Sequence, residues 1–114
     1  MPRWQVFEIP RGADITLEID LSPVPAGGIA GWTIQYTQRT DWQPNGTLVF
    51  TKSTTGGTVV ITDAVNGKIQ VAIFKADTAG VTPATQVFDV SRIDSGSEGP
   101  LTWGLVGVLA EATV

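Results

Sequence analysis

The sequence predicts an all-β fold: an immunoglobulin-like β-sandwich of seven or eight short antiparallel strands, with a small β-barrel as the alternative. Three observations predict it. Apolar and polar residues alternate with period two along several runs. Turn-forming residues interrupt those runs at short intervals, and no stretch of 12 residues carries the 3.6-residue period of an amphipathic helix.

The clearest run is Ile15-Thr16-Leu17-Glu18-Ile19-Asp20-Leu21, whose apolar positions all fall on one face. Trp32-Thr33-Ile34-Gln35-Tyr36-Thr37-Gln38 repeats the pattern, with Trp32, Ile34 and Tyr36 expected inward and Trp32 as the core tryptophan of the sandwich. Lys68-Ile69-Gln70-Val71-Ala72-Ile73-Phe74 places Ile69, Val71 and Ile73 inward. Weaker strands are expected at residues 5–9, 47–52, 58–62, 86–93 and 101–110, all rich in β-branched and aromatic residues. Pro10-Arg11-Gly12, the Pro/Gly-rich loop 22–31, Pro44-Asn45-Gly46 and Gly56-Gly57 separate them. Asn66-Gly67 is the strongest hairpin signal, because both residues tolerate the positive φ of a type I′ turn. Asp77-Thr78-Ala79-Gly80 reads as one helical turn with an aspartate cap, stopped before Pro83.

Residues 1–114 read as a single immunoglobulin-like domain, the size at which one core suffices. Hydrophobic residues make up 42% and charged residues 16%, enough apolar surface to fold and few charges to spread over the outside. The net charge is −4, and the seven basic residues (Arg3, Arg11, Arg39, Lys52, Lys68, Lys75, Arg92) are scattered singly. That argues against a nucleic-acid surface and against a basic membrane-binding stripe. Met1-Pro2-Arg3-Trp4-Gln5 lacks the apolar stretch of a signal peptide, and the apolar stretch 105–110 is far short of a membrane span. With neither cysteine nor histidine, there is no thiolate nucleophile, no imidazole base and no zinc site of the usual ligands.

The carboxylates are the remaining strong acid–base groups. Glu18 and Asp20 share one strand face, as a glycosidase pair would, but alternation alone already places them there. Asp94-Ser95-Gly96-Ser97-Glu98-Gly99 offers oxygens at alternate positions, yet it lacks the spacing of a calcium loop and has the composition of an ordinary turn. Gly27-Gly28-Ile29-Ala30-Gly31 is followed by a strand rather than by Gly-Lys-Ser/Thr and a helix, so it is not a phosphate loop. The expectation is a protein without catalytic, metal or cofactor residues.

Tryptophan is the more telling residue. Trp4 sits near the chain start, Trp42 lies in the polar stretch Thr40-Asp41-Trp42-Gln43-Pro44, and Trp103 opens the last strand beside Gly104. Each either closes an open end of the sandwich or marks a contact. Outward strand positions add Val6, Val60, Phe74 and Val106. Of these, Trp4, Val6, Trp42, Phe74 and Trp103 are the candidate partner contacts.

The last third of the chain carries a resemblance. Phe74-Lys75-Ala76-Asp77-Thr78, then Pro83, then Val87-Phe88-Asp89-Val90-Ser91-Arg92-Ile93-Asp94, a Ser/Gly loop, and Leu101 through Gly104 to Glu111-Ala112-Thr113 form an ordered series. It resembles the immunoglobulin-like domain at the N-terminus of phage baseplate upper proteins and in related phage and prophage structural proteins. Phe7-Glu8-Ile9 with Arg11-Gly12-Ala13-Asp14, and Gly31-Trp32-Thr33-Ile34, are similar to that family's opening strand and third strand. The family often has a tyrosine before the aromatic-Asp step, where Gln86 stands here, which puts a tyrosine-corner contact in question. The resemblance implies a non-enzymatic assembly protein of a tail or head–tail region, located in the virion and assembled in the bacterial host cytoplasm. Its partners would be other virion or tail subunits and further copies of itself, with no nucleic acid and no membrane. The alternative is a carbohydrate-binding module using Trp42 and Trp103.

Overall fold

The computed structural model describes residues 3–21, 24–42, 46–78, 80–81, 84–94 and 96–109. Their order is β1 (Arg3–Pro10), β2 (Ile15–Asp20), β3 (Ile34–Arg39), β4 (Leu48–Ser53), β5 (Val59–Asp63), β6 (Lys68–Ile73), α1 (Lys75–Thr78), β7 (Ala84–Arg92) and β8 (Gly99–Leu109). Two sheets form, a five-stranded one in the order β1-β8-β7-β3-β4 and a three-stranded one in the order β2-β6-β5. The fold is a β-sandwich, and neither sheet closes into a barrel.

All but one of the strand pairs run antiparallel, as expected; β1 instead lies parallel to β8, with Arg3 opposite Thr102 and Pro10 opposite Leu109. A parallel pair needs a long crossover between its strands. Here the whole sandwich supplies it, because β1 and β8 come from opposite ends of the described chain. Gly104 makes their close approach feasible: a Cβ there would collide with the backbone carbonyl of Gln5.

The three-stranded sheet follows the alternation of its sequence. Leu17, Ile19, Val59, Ile69, Val71 and Ile73 are buried between the sheets, whereas Thr16, Glu18, Thr62 and Lys68 face out. The inner face of the five-stranded sheet is different. Phe7, Phe88, Tyr36 and Phe50 form a row across β1, β7, β3 and β4, with successive ring centroids 5.5, 5.5 and 5.9 Å apart. Such aromatic pairs add about 0.5–1.5 kcal/mol each beyond the area they bury. A buried polar chain lies beside the row. Tyr36 Oη donates to Gln38 Oε1 (2.8 Å), and Gln38 Nε2 donates to Gln86 Oε1 (2.7 Å). Burial pushes the Tyr36 phenol pKa well above its ordinary value, and the charge of Asp89 adds to the shift.

Four expectations need correction. Trp32 precedes β3 rather than opening it and is only partly buried; Arg92 stacks on its ring at 4.2 Å, and Tyr36 takes the central aromatic place. Pairing starts late because the Thr33 amide donates to Asp94 Oδ2 (2.8 Å) instead of to a neighbouring strand. Val106 is fully buried, since Gly104 must face inward beneath Gln5 and a strand's side chains alternate from there. Asn66-Gly67 does not form a two-residue type I′ turn: Asp63 pairs with Lys68 across four residues, and only Gly67 has positive φ (71°). Asp63 explains this geometry, because it accepts from both the Asn66 side chain (2.8 Å) and the Asn66 amide (3.2 Å). Those bonds hold its carboxyl below the ordinary range. Lastly, α1 begins at Lys75, so Asp77 caps from within the turn by accepting from the Phe74 amide (2.7 Å).

Candidate binding face

The outer face of the five-stranded sheet collects side chains that alternation would assign to a second core. Registers across β1, β8, β7, β3 and β4 place two rows on it. One runs Trp103, Asp89, Thr37, Thr51; the other runs Val6, Leu105, Val87, Arg39, Leu48. Val6 is 62% exposed, Leu48 52%, and Leu109, further along β8 on the same face, 44%. Val6 and Leu105 are register partners, whereas Leu48 lies on the opposite edge strand and Leu109 is opposite Pro10.

A shallow cleft of about 340 Å³ opens on this face, lined by Trp42, Asp89, Ser91, Pro100 and Trp103. β7 and β8 supply Asp89, Ser91, Pro100 and Trp103, while Trp42 comes from the connection after β3 and remains 41% exposed. Asp89 belongs to the Phe88-Asp89-Val90 step, in which Phe88 and Val90 point inward and Asp89 is left half-buried facing out. Burial pushes its carboxyl above the ordinary range against the opposing pull of Arg39. Among the described residues, nothing donates a hydrogen bond to Asp89, and neither the Ser91 hydroxyl nor the Trp103 indole N–H has a hydrogen-bond partner.

The five candidate contacts do not all come together. Val6 and Trp103 share the outer face, and Trp42 reaches the cleft. The backbone of Trp4 pairs with Trp103, but its side chain lies outside the described residues. Phe74 is elsewhere: it leads into α1, and the Lys52 ammonium sits 4.7 Å from its ring centre. Lys52 itself is buried on the inner side of β4 and paired with Asp77 (2.6 Å). Phe74 therefore helps to seal a buried ion pair at the seam of the sandwich. Val60 is exposed on the three-stranded sheet, away from the cleft.

Most of the other carboxylates of the described residues are occupied by the scaffold, whereas Glu8 stays exposed on the outer face of β1. Glu18 accepts from Gln70 (3.2 Å), and Asp20 lies 3.9 Å from Lys68. Asp94 accepts from the Thr33 amide and from Arg92 Nε (2.7 Å), which hold its carboxyl well down, at about 2. Glu98 accepts from the Gly96 amide (3.0 Å), closing the loop that Ser97 N to Asp94 O also bridges. Among the described residues no three His, Cys, Asp or Glu side chains gather in one place, and no helix is long and apolar enough to cross a membrane.

Sequence reasoning flagged Trp42 and Trp103 but missed Asp89, Ser91 and Pro100. The available signal was the strand 86–93, whose alternation points Asp89 and Ser91 out on the same side. No family model matches the chain, and no curated protein matches it.

Proposed function

We propose that this domain is a non-enzymatic assembly module of a tailed-phage or prophage particle, working through protein contacts and self-association. The observation that carries the reading is exposed Val6 beside Leu105, with Glu8 over Gly107 and then Leu109 further along the same face, next to β1 as an edge strand of the five-stranded sheet. An edge strand presents unpaired amides and carbonyls, and such edges are ready templates for pairing with another chain. The occupant that fits best is the β1 of a second copy, antiparallel about a two-fold axis. Val6 of each chain would then lie against the same patch of the other. The family resemblance in residues 74–113 supplies the virion context, with other tail or head–tail subunits as further partners and the virion as location.

Light scattering at tens of micromolar is expected to give an oligomer mass. Val6→Asp is expected to shift it to monomer with the melting temperature unchanged, because the side chain is already in solvent. A monomeric wild-type chain at high micromolar concentration overturns self-association. Capsid, portal or tail genes beside the coding sequence are the expected context, and a polysaccharide-degradation cluster there would overturn the virion assignment.

A further inference from the structure

We propose that the cleft between Trp42 and Trp103 is a carbohydrate-binding site for a neutral oligosaccharide, distinct from the β1 patch used in assembly. Its volume of about 340 Å³ sits at the lower end of the range for small-molecule sites, roughly 300–1,000 Å³. That size suits one or two sugar rings lying across an open sheet face.

The chemistry of the lining narrows the ligand. Trp42, Trp103 and Pro100 supply flat apolar surface, the kind on which the C–H face of a pyranose stacks. The same lining residues carry three polar groups with no hydrogen-bond partner among the described residues: the Asp89 carboxylate accepts only, the Trp103 N–H donates only, and the Ser91 hydroxyl does both. The ligand must therefore donate, accept and offer an apolar face within one ring-sized space. Vicinal hydroxyls on a sugar ring meet all three demands.

Two competing occupants meet fewer. A quaternary ammonium is attracted to paired tryptophans but can neither donate to Asp89 nor accept from Trp103. Arg39 is also close enough to act on the charge of Asp89, which weakens the pull of the site on a cation. An aliphatic protein segment would bury the three polar groups unsatisfied, at a cost that opposes docking. The tryptophan rings of the cleft separate it from the neighbouring patch of Val6, Leu105, Glu8 and Leu109, which offers no aromatic surface for stacking.

The test is a titration of the full 114-residue chain with maltohexaose, cellohexaose and the N-acetylglucosamine hexamer. Intrinsic tryptophan fluorescence and calorimetry are the readouts, with choline chloride as the cationic probe. At least one oligosaccharide is expected to give a saturable response with Kd near a millimolar or tighter. Trp42→Ala, at an exposed position, and Asp89→Asn, near-isosteric at a half-buried one, are expected to weaken it about tenfold or more while the fold persists by circular dichroism. Trp103→Ala is expected to do the same, and Val6→Asp is expected to bind sugar normally even where it disrupts the oligomer. The proposal is overturned if all three sugars are silent, if choline alone saturates the signal, or if the variants bind as well as the parent. Sugar binding lost only in Val6→Asp would also overturn it, by tying the site to the assembly interface.

Discussion

The two sheets of this sandwich obey different rules. In the three-stranded sheet, β2 and β6 alternate cleanly with aliphatic residues inside, Glu18 bonded to Gln70 and Asp20 near Lys68 outside, and Val60 of β5 is the exposed aliphatic on its strands. The five-stranded sheet breaks the pattern on both faces. Inside, it buries Gln38, Gln86, Lys52 and Thr102 among its aromatic rings; outside, it exposes Val6, Leu48 and Leu109 and half-buries Asp89 beside Trp103. Departures from local consistency concentrate where a protein does something besides fold. The three-stranded sheet closes the core, and the five-stranded sheet carries the face on which both proposed contacts lie.

The largest expected difference between the sheets is at Gly104. Gly104→Ala sets a methyl group against the Gln5 carbonyl on a hydrogen-bonded ladder with little room to shift. A loss of about 3 kcal/mol is expected, the upper part of the usual range for overpacking. For a domain of this size that is a fall in Tm of roughly 10 °C, readable by calorimetry. The displaced strand is β1, so the proposed self-association through that edge should fail with it. A wild-type Tm in Gly104→Ala would mean that β1 is not held against β8 in this way. Gln70→Ala, on the solvated face of the other sheet, is expected to stay within about 0.5 kcal/mol of the parent.

A smaller effect is expected from the polar chain inside the five-stranded sheet. Gln86→Ala removes the acceptor of Gln38 Nε2 and leaves a buried amide unpaired, at a cost of about 2 kcal/mol. Adding Gln38→Leu together with Tyr36→Phe is expected to recover part of that loss, because both orphaned donors, the Gln38 amide and the Tyr36 hydroxyl, go with it. Additive losses in urea unfolding would show that these side chains do not act as a unit.

How much of this was legible in the sequence follows the same division. Residues 15–21 and 68–74 showed their strands and inner faces because each obeys a single period, and β2 and β6 lie where that period puts them. The third strand was legible through Ile34 and Tyr36, but Trp32 misled: size and hydrophobicity suggested a core residue, while Asp94 and Arg92 hold that segment at the edge. Val106 was misplaced because an apolar stretch such as Leu105-Val106-Gly107-Val108 has no internal phase, which is set instead by Gly104 against Gln5. Of the cleft, the tryptophans were visible as a residue type. Asp89 and Ser91 were not, since their meeting with Trp42 is a contact between residues far apart in the chain, and local patterning does not record that.

The smallest expected effect bears most directly on why the five-stranded sheet keeps a half-buried carboxylate. The folded-state pKa of Asp89 is raised by burial, so its ionisation opposes folding: the favourable contribution is complete below the unfolded value near 4 and is lost as pH rises through the folded value. Asp94 has the opposite sign. Its carboxyl is held down at about 2, so its contribution is present above about 4 and lost as pH falls through that folded value. Asp89→Asn should therefore melt slightly higher than the parent at pH 7, with the gap closing below pH 4, whereas Asp94→Asn should melt lower at pH 7 and converge in acid. Thermal melts from pH 2 to 8 check both. A lower Tm for Asp89→Asn at neutral pH would mean that the charge is structural, held by a partner in the fold. A higher Tm together with lost sugar binding would mean that the sheet keeps a destabilising group for the sake of its ligand, a trade that surfaces built for binding commonly make.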